Sequence, residues 1–451
     1  MKRYETYKDS GIQWLGDIPE HWKILKIKYI LEASKDGIKI GPFGSSLTGK
    51  ILPNGDYKVY GQWNIVDKDF SAGKNFVSLE TYNNLDSYHV ITGDILISMM
   101  GTVGKCAIIP NGIIPGIMDS HVVKVRLNID VMSPSFFEFV YDKDYCNVVY
   151  GQIQKNRRGS IMDGLNSSVI KDFLIPIPPI IEQNIIVEYL YFKVGQINSL
   201  ISAKEKQVED LQQYRSSVIS EAVTRGLNPD VEFKDSGVEW IGDIPKHWGV
   251  DKLKNICILI TDGSHFSPKT IQDGGLPYIT VSNVYSDSIH IEEALRISYD
   301  DFILLVKNGC QPESGDVLLS KDGTVGRSAI VEENNYVVLS SLGILRSSNL
   351  LISKYLKYSL DSSPLQEQMK LAMAGSALRR ITIEKIKLLL STLPPVEEQK
   401  IIISYLDEKT SKIDETIKEL KIQIDDLRQY KKTVISEAVT GKVDLRDWKP
   451  K

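Results

Sequence analysis

Histidine and cysteine are scarce in this chain, and long apolar runs are missing. The 451 residues include six histidines and four cysteines. Cys106, Cys146, Cys257 and Cys310 lie far apart without a Cys-x-x-Cys pair, so neither a zinc site nor a disulfide framework is indicated and free thiols are expected. No apolar run approaches the roughly 20 residues that span a bilayer, and the polar first residues lack a signal peptide's apolar core. A cytoplasmic protein with no membrane partner is predicted.

The net charge provides no general attraction to nucleic acid. Lysine and arginine number 54 against 58 aspartates and glutamates, a formal charge of −4. Any binding of DNA must therefore depend on local basic clusters or on the charge of a partner.

Signatures of enzymes and cofactor sites are also missing. Residues 44–51 resemble a phosphate-binding P-loop, but Ile51 stands where a hydroxyl would hold Mg²⁺, and Pro53 disfavours the helix that should follow. The Asp230 and Glu232 carboxylates lie two residues apart in a linker, which does not suit a nuclease metal site. No glycine-rich cofactor loop is present, and no metal site or catalytic residue can be assigned. The chain is interpreted as a binding protein.

What the chain does contain is a frame that occurs twice. Residues 8–22 return 226 residues later as 234–248, with Ser-Gly-x-x-Trp-x-Gly-Asp-Ile-Pro-x-His-Trp in both copies. A second duplicated segment runs from Pro178-Pro179 through Glu182-Gln183 and returns from Pro394-Pro395. The segments between the copies match only at scattered points. A duplicated frame with divergent inserts indicates one scaffold that presents two different recognition surfaces.

Each Pro-Pro pair is followed by a heptad-like apolar pattern. Its steps alternate four and three residues over about four heptads, which predicts coiled-coil helices at 180–224 and 396–440. At 1.5 Å per residue each helix would be on the order of 65 Å long. A pseudo-two-fold axis would place the two helices antiparallel, although each could instead pack on its own domain. The predicted seam positions are Leu190, Ile197, Leu211, Val218, Leu406, Ile413, Leu427 and Val434.

The two inserts share a few landmarks. Gly-Asp-Ile/Val-Leu at 93–96 and 315–318 is followed by Gly-Thr-Val-Gly at 101–104 and 323–326, which predicts two strands joined by a tight turn. A Gly-Ser pair at 159–160 and 375–376 lies near basic residues in both copies. Such residues can contact DNA phosphates or bases, although a solvated loop is the alternative. The basic candidates for DNA contact are Lys105, Lys155, Arg157, Arg158, Arg327, Arg379 and Arg380.

Taken with these repeats, the sequence closely resembles the specificity subunit of type I restriction–modification enzymes. The resemblance covers essentially the whole chain, since both duplicated motifs are typical of that family. The segment 262–268 (Asp-Gly-Ser-His-x-Ser-Pro) also looks like part of a recognition domain, which adds Ser264 and His265 as candidates. The first insert has Gly-Pro-Phe-Gly-Ser-Ser at the corresponding place, 41–46. The pairs Asp163-Gly164 and Arg379-Arg380 align but differ in charge, so contacts cannot be copied between the inserts.

The resemblance implies an α+β fold with an internal repeat. Two mixed α/β target-recognition domains would be separated by two long antiparallel coiled-coil helices. The expected segments are a first frame motif (1–22), target-recognition domain 1 (23–175), helix 1 (176–226), a linker with the second frame motif (227–248), target-recognition domain 2 (249–391), helix 2 (392–441) and a tail (442–451).

The family further implies a subunit without a catalytic site or cofactor of its own. S-adenosylmethionine, ATP and Mg²⁺ would be bound by partner subunits. Those partners would be two methyltransferase subunits and, where present, restriction subunits, all acting on double-stranded DNA. Two unlike domains on one scaffold would read a bipartite, asymmetric target with an unread gap. The alternatives are a two-domain protein-binding scaffold with a coiled-coil spacer, and an enzyme with an unrecognised site.

Overall fold

The chain divides into two compact units of mixed α/β structure. The computed structural model describes residues 2–13, 15–34, 37–156, 165–272, 274–285, 288–373 and 379–450. The first unit comprises Met1–Lys204 and Ile422–Lys451, and the second comprises Glu205–Lys421. Across the described ranges, no helix is both long enough and apolar enough to span a bilayer.

The elements of the first unit alternate short strands with short helices. Its strands are β1 (Tyr7–Asp9), β2 (Asp17–Pro19), β3 (Lys23–Lys26), β4 (Ile38–Ile40), β5 (Tyr57–Tyr60), β6 (Phe76–Val77), β7 (His89–Val90), β8 (Ile95–Ser98), β9 (Cys106–Ile108), β10 (Gly116–Met118), β11 (Val122–Val125) and β12 (Leu174–Ile177). Its helices are α1 (Gly44–Leu47), α2 (Gln62–Asp67), α3 (Leu79–Asn84), α4 (Pro134–Tyr141), α5 (Asn147–Asn156) and α6 (Ser167–Asp172). Helix α7 (Ile180–Arg225) begins in this unit and ends in the second.

The second unit repeats this order with changes in length. Its strands are β13 (Phe233–Asp235), β14 (Asp243–Pro245), β15 (Gly249–Lys252), β16 (Cys257–Asp262), β17 (Leu276–Ile279), β18 (Leu295–Ile297), β19 (Val317–Ser320), β20 (Ser328–Ile330), β21 (Val337–Val338), β22 (Leu342–Ser347) and β23 (Leu390–Leu393). Its helices are α8 (Leu253–Ile256), α9 (Tyr299–Lys307), α10 (Ser353–Asp361), α11 (Ser363–Met373) and α12 (Ile383–Lys387). Helix α13 (Val396–Val439) begins here and ends in the first unit.

One four-stranded sheet recurs in both units, and we call it the recognition sheet. Its strand order is β4-β11-β8-β9 in the first unit and β16-β22-β19-β20 in the second. The central strands β8 and β19 are buried at all four positions because helices and a second sheet cover their faces. Such strands are expected to be continuously apolar rather than alternating. The predicted hairpins after the Gly-Asp landmarks are therefore confirmed as β8–β9 and β19–β20.

Each insert is closed by pairing of its own ends. Strand β3 follows the first frame motif and pairs with β12, with Lys23 opposite Ile177. In the second unit β15 pairs with β23, with Gly249 opposite Leu393. The long helices begin directly after β12 and β23. This pairing places the start of each helix beside the end of the preceding frame motif.

The two long helices are confirmed, and their bounds lie within one residue of the predicted ones. In the first unit Lys204 Nζ donates to Gln423 Oε1 at 2.5 Å, and Lys431 Nζ donates to Asn198 Oδ1 at 3.1 Å. Residue numbers therefore rise along α7 in the direction in which they fall along α13, so these segments run antiparallel. In the second unit Arg215 Nε lies 2.9 Å from Asp414 Oδ1.

Burial along the helices follows the seven-residue pattern. Two of the eight seam positions, Leu211 and Leu427, are half-buried, and the other six are buried: Leu190, Ile197, Val218, Leu406, Ile413 and Val434. In the central parts of the helices, 191–217 and 407–433, the neighbours outside the pattern are largely exposed. Basic residues that interrupt the apolar series, Lys204 and Arg215 among them, bond to the other helix and so remain compatible with its packing.

The two duplicated motifs meet, and a glutamate joins them. In the first unit Glu182 accepts hydrogen bonds from the Tyr4 hydroxyl and from Trp22 Nε1 (3.1 Å), while His21 Nε2 lies 2.8 Å from its other oxygen. We call this group the first clasp. Glu182 and Trp22 are both buried. The frame motif is thereby fixed to the first turn of α7, where the helix dipole also favours a carboxylate.

The second clasp uses the equivalent residues. His247 Nε2 lies 2.7 Å from Glu398 Oε1, and Trp248 Nε1 donates to Glu398 Oε2 at 2.9 Å. The Glu398 side chain is 39% exposed, whereas that of Glu182 is 5% exposed. The two clasps therefore share their design but differ in their shielding from water.

The glutamine that follows each glutamate holds the insert. Gln183 Nε2 donates to the carbonyls of Val131 (2.8 Å) and Pro178 (2.9 Å), and its Oε1 accepts from Ser133 N. In the second unit Gln399 makes the same three bonds, to Leu350, Pro394 and Ile352. The duplicated Glu-Gln pair thus joins the frame motif and the insert to one helix end.

A partly buried ion network lies inside the first unit, with buried carboxylates and a lysine whose side chain is 36% exposed. Lys68 Nζ donates to Glu138 and to the Tyr145 hydroxyl (3.0 Å), and Asp142 lies 3.7 Å away. Burial lowers the pKa of Lys68, but the nearby Glu138, Tyr145 and Asp142 outweigh it and raise that pKa overall. Burial also raises the pKa of Glu138 and Asp142, against the opposing charge of Lys68. The corresponding helix of the second unit has its lysine on the helix itself, where Lys357 pairs with Asp361 at 2.9 Å.

Candidate nucleic-acid interface

The aspartate of each Gly-Asp landmark forms a structural ion pair with an arginine of the same insert. Arg126 donates from Nε and Nη2 to the two Asp94 oxygens at 2.7 and 2.9 Å. Arg346 binds Asp316 in the same way, at 2.8 and 2.9 Å. Each aspartate also accepts a backbone N–H three residues earlier. A bidentate pair of this kind is strong and geometrically specific. The landmark therefore fixes the recognition sheet, and its arginine partners carry no sequence signal of their own.

The residues after the tight turn lie at equivalent places but differ in partners. Lys105 Nζ lies 2.9 Å from Asp144 Oδ2, and its side chain is 20% exposed. Arg327 is half-buried, and its backbone N–H donates to Ser320 Oγ at 2.8 Å. Lys105 is thus held by a carboxylate.

In the second unit three segments that the sequence singles out come together. The segment 262–268 follows β16, the glycine turn follows β19, and Arg379 and Arg380 precede α12. Asp322 and Arg380 form an isolated antiparallel bridge, and Gly323 N donates to the Arg379 carbonyl at 3.1 Å. Asp262, His265, Arg380 and Lys321, which lies two residues before the turn, are among the residues that line a cavity of about 340 Å³.

A chain of alternating charges crosses this site, and we call it the charge relay. His265 Nε2 lies 3.3 Å from Asp262, and Lys321 Nζ lies 3.2 Å from Asp262 and 3.7 Å from Asp322. Arg380 Nε lies 2.9 Å from Asp322 Oδ1. The Lys321 side chain is 2% exposed, whereas His265 and Arg380 are 68% and 47% exposed. The relay therefore has a buried centre and two accessible ends.

Sequence reasoning found the ends of the relay and missed its centre. Ser264 is buried, and its Oγ bonds both to the Phe266 carbonyl (2.6 Å) and to Phe266 N (3.0 Å), so it shapes the loop that presents His265. Asp262 is the first residue of the segment 262–268, and Lys321 and Asp322 lie between the Gly-Asp landmark and the glycine turn. The feature that connects these residues is the alternation of positive and negative side chains from one segment to the next. This alternation becomes visible only when the strands are paired.

The basic candidates of the first unit are only partly described. Lys155 is exposed near the end of α5. Arg157, Arg158 and the Gly-Ser pairs at 159–160 and 375–376 lie outside the described residues, as does the aligned pair 163–164.

A glycine at the end of each edge strand allows the following loop to lie against the neighbouring backbone. A Cβ added at Gly41 would lie 1.9 Å from the Asp119 carbonyl oxygen, and one at Gly263 would lie 2.1 Å from that of Val338. Since backbone cannot move aside cheaply, both positions require glycine.

Replacing Gly41 or Gly263 with alanine is expected to destabilise the folded chain by about 1–3 kcal/mol, the range for overpacking. The neighbouring Gly44 has open space around its Cβ position, so Gly44→Ala serves as the matched control and should change stability little. Urea denaturation followed by circular dichroism measures both. Equal midpoints for Gly41→Ala and Gly44→Ala would contradict the close approach.

The profile of the Type I restriction modification DNA specificity domain matches residues 19–210 and 245–426. The chain belongs to the type I restriction–modification specificity family. It carries the family domain twice, and it is accordingly a non-catalytic specificity subunit that determines recognition of a DNA target.

Similar proteins agree over most of this specificity subunit's length. A putative type I restriction enzyme MjaX specificity subunit from Methanocaldococcus jannaschii is 24% identical, covering 98% of this chain and 97% of its own. The EcoBI specificity subunit from Escherichia coli is 22% identical, covering 79% and 75%. A solved structure described as "Structural basis underlying complex assembly and conformational transition of the type I R-M system" has a TM-score of 0.67 at 16% identity, covering 94% of this chain and 99% of that one. That likeness shows the fold.

Proposed function

We propose that this specificity subunit reads a bipartite, asymmetric target in double-stranded DNA, with one half-site for each recognition domain. The proposed domains are 23–175 and 249–391, framed by the motifs at 1–22 and 227–248, the helical segments 176–226 and 392–441, and the tail 442–451. The observation that carries the proposal is that 262–268, the start of the glycine turn and Arg379-Arg380 meet in the second unit. His265, Lys321 and Arg380 from these segments line one cavity.

The partners follow from the family and from the absence of an assignable catalytic site. We infer a cytoplasmic complex with two methyltransferase subunits and, where present, restriction subunits. S-adenosylmethionine, ATP and Mg²⁺ would be bound there. Within the described part of the chain, no cluster of three or more histidine, cysteine, aspartate or glutamate side chains could hold a metal ion. The duplicated Glu-Gln pairs explain how one frame can carry two different inserts. Gln183 and Gln399 bind the inserts through backbone carbonyls, which are present whatever the side chains of the insert are.

The proposed DNA contacts are the predicted basic residues together with the exposed loop. These residues are Lys105, Lys155, Arg157, Arg158, Ser264, His265, Arg327, Arg379 and Arg380. Positively charged side chains at phosphates fix the register on the duplex, and contacts to base edges supply the sequence information.

The proposal is tested by sequencing the methylome of cells that express this chain together with a type I methyltransferase subunit. The expected result is one motif with two specific half-sites and an unread gap. The same methylation without this chain, or a continuous motif, would overturn the proposal. A purified complex that binds proteins but shows no salt-sensitive, sequence-dependent DNA binding would favour the scaffold alternative.

Arg379→Ala is expected to lower affinity for every DNA sequence alike and to reduce the salt slope of binding by about one, because Arg379 is exposed and is proposed to contact a phosphate. Titration of cognate and scrambled duplexes at several salt concentrations, in the methyltransferase complex, measures both effects. Lys307→Ala, an exposed lysine at the end of α9, is the control. If Arg379→Ala matches the control in affinity and in salt slope, the residue belongs to a solvated loop.

A further inference from the structure

The two recognition sheets can be aligned position by position. Ile40 lies opposite Val123, which lies opposite Ile97. In the second unit Asp262 lies opposite Gly343, which lies opposite Leu319. Ile97 and Leu319 directly follow the Gly-Asp landmark in the two units, so Ile40 is equivalent to Asp262. The glycines that follow them, with the same close backbone approach, support this register.

The same alignment pairs the residues at the start of the glycine turn. Counting from the landmark, Met99 corresponds to Lys321 and Met100 to Asp322. The first unit therefore has isoleucine, methionine and methionine at three positions where the second has aspartate, lysine and aspartate. We call these three positions the base of the recognition loop. Both loops above the base carry an exposed ring, Phe43 at 84% and Phe266 at 56%, so a ring does not distinguish them.

In the second unit, the side chains at the base of the recognition loop hold two accessible hydrogen-bond donors, His265 and Arg380. Asp262 holds His265, Asp322 holds Arg380, and the buried Lys321 compensates both carboxylates. The two positive charges of Lys321 and Arg380 balance the two negative charges of Asp262 and Asp322. A phosphate site needs an excess of positive charge, whereas base edges offer paired donors and acceptors. Among the described residues, Asp322 is the acidic partner of Arg380, with Oδ1 at 2.9 Å from Nε, and the Arg380 side chain remains 47% exposed. A guanidinium exposed to this extent is accessible to a base edge, which arginine binds in a bidentate manner.

In the first unit, the three residues at the base of the recognition loop have no charged side chain. Met100 is 49% exposed, and Met99 and Ile40 are half-buried. The polar neighbours are Ser98, whose Oγ donates to Gln62 Oε1 at 2.6 Å, and His121, whose backbone carbonyl accepts from Met99 N at 3.2 Å. The His121 ring lies 3.1 Å from Ser120 Oγ and 3.8 Å from Asp119. Apolar side chains discriminate bases by contact with the thymine methyl group.

We propose that the three side chains at the base of the recognition loop determine which kind of nucleobase edge each domain reads. The second domain reads a guanine through Arg380, with Asp262, Lys321 and Asp322 as positioning residues. The first domain reads a thymine methyl group through Met100 and Phe43. This inference rests on the proposed function, since it requires that both loops face DNA.

The guanine contact is tested in the methyltransferase complex, after the methylome has given both half-sites. Replacing the guanines of one half-site in turn by 7-deazaguanine removes the N7 acceptor, and at one position we expect affinity to fall about 5- to 100-fold. In Arg380→Ala, whose side chain is half exposed, that substitution should have no further effect. Asp322→Asn should reduce the penalty, because Arg380 loses the carboxylate that orients it. Since Asp322 also lies 3.7 Å from the buried Lys321, the titration is run at a temperature at which circular dichroism shows the variant to be folded.

The thymine contact is tested with deoxyuridine, which lacks only the methyl group. Replacing one thymine of the other half-site should lower affinity about fourfold, the value of one buried methyl-sized group. Met100→Ala should bind thymine and uracil duplexes alike there. Ile114→Ala, another exposed apolar residue of the first unit, should retain the fourfold difference.

Several outcomes would overturn the inference while leaving the proposed function intact. A bipartite motif whose half-site affected by Arg380→Ala contains no guanine would do so. A 7-deazaguanine penalty that persists in Arg380→Ala would do so as well, as would a thymine–uracil difference that persists in Met100→Ala. An equal loss for all sequences with a lower salt slope in Arg380→Ala would identify a phosphate contact instead. Failure of the proposed function would show earlier, as the absence of any bipartite motif.

Discussion

Lys68→Met is expected to destabilise the first unit by about 3–5 kcal/mol, the cost of leaving a buried charge without its partner. The substitution removes the cation between Glu138 and Asp142, whose side chains are 11% and 2% exposed. Methionine keeps most of the volume of the lysine stem, so the loss should reflect charge more than packing. Urea unfolding of the full chain, followed by circular dichroism, should show an earlier first transition. Because the chain has two units, a single two-state fit is not appropriate.

The pH dependence of Lys68→Met provides an independent check. Without the lysine, burial should raise the pKa of Glu138 and Asp142 further, so the folded state binds more protons than the unfolded state between the ordinary carboxyl pKa and the raised one. Stability is then lost as pH rises through that window and regained as pH falls. The deficit against the parent should therefore shrink between pH 8 and pH 5.

The control for this variant is Lys74→Met, which removes an exposed lysine from the loop that follows. It should unfold within a few tenths of a kcal/mol of the parent. Two variants with the same midpoint, or a Lys68→Met deficit that grows on acidification, would mean that the network does not hold Glu138 and Asp142 in the charged state.

The second large effect is expected at the first clasp. Glu182→Ala should cost about 3 kcal/mol or more, because the buried Trp22 and Tyr4 donors and the His21 ring lose their acceptor together, at about 1–3 kcal/mol for each buried group left unpaired. Glu398→Ala removes the equivalent carboxylate from the more exposed second clasp and should cost about 1–2 kcal/mol less. Thermal and urea unfolding of the two variants measures the difference.

Glu397→Ala separates the clasp from the helix dipole. Glu397 also lies in the first turn of α13, but its side chain is 80% exposed and pairs with Lys400. Its loss should cost less than about 1 kcal/mol. The clasp interpretation fails if Glu182→Ala and Glu397→Ala are equally mild.

The repeated architecture could be predicted from the sequence because its signals are local and occur twice. The heptad steps after each Pro-Pro pair predicted helices that the structure places at Ile180–Arg225 and Val396–Val439. The glycine turns likewise predicted the hairpins β8–β9 and β19–β20. Periodicity and turn chemistry depend on neighbours a few residues apart, so a single chain reveals them.

The role of the duplicated motifs could not be predicted in this way. His21 and Trp22 meet Glu182 across more than 150 residues of an insert that shows little similarity to its counterpart. The motifs could be recognised in the sequence. That the glutamate accepts hydrogen bonds from the frame motif, while the next residue, Gln183, binds the insert, could not be predicted. Contacts of this kind depend on strand pairing that closes each insert on itself.

The sequence by itself determined the repeat, the long helices, the hairpins and the segments that carry candidate DNA contacts. Only the tertiary structure decided which of those segments share a site: it joined His265 to Arg380 through Asp262, Lys321 and Asp322, and it placed Ile40, Met99 and Met100 at the equivalent positions of the first unit. The physical reason is the range of the interactions. Helix and turn signals act over a few residues, whereas a charge relay requires side chains from three distant segments to come within about 4 Å, and the strand register alone fixes that.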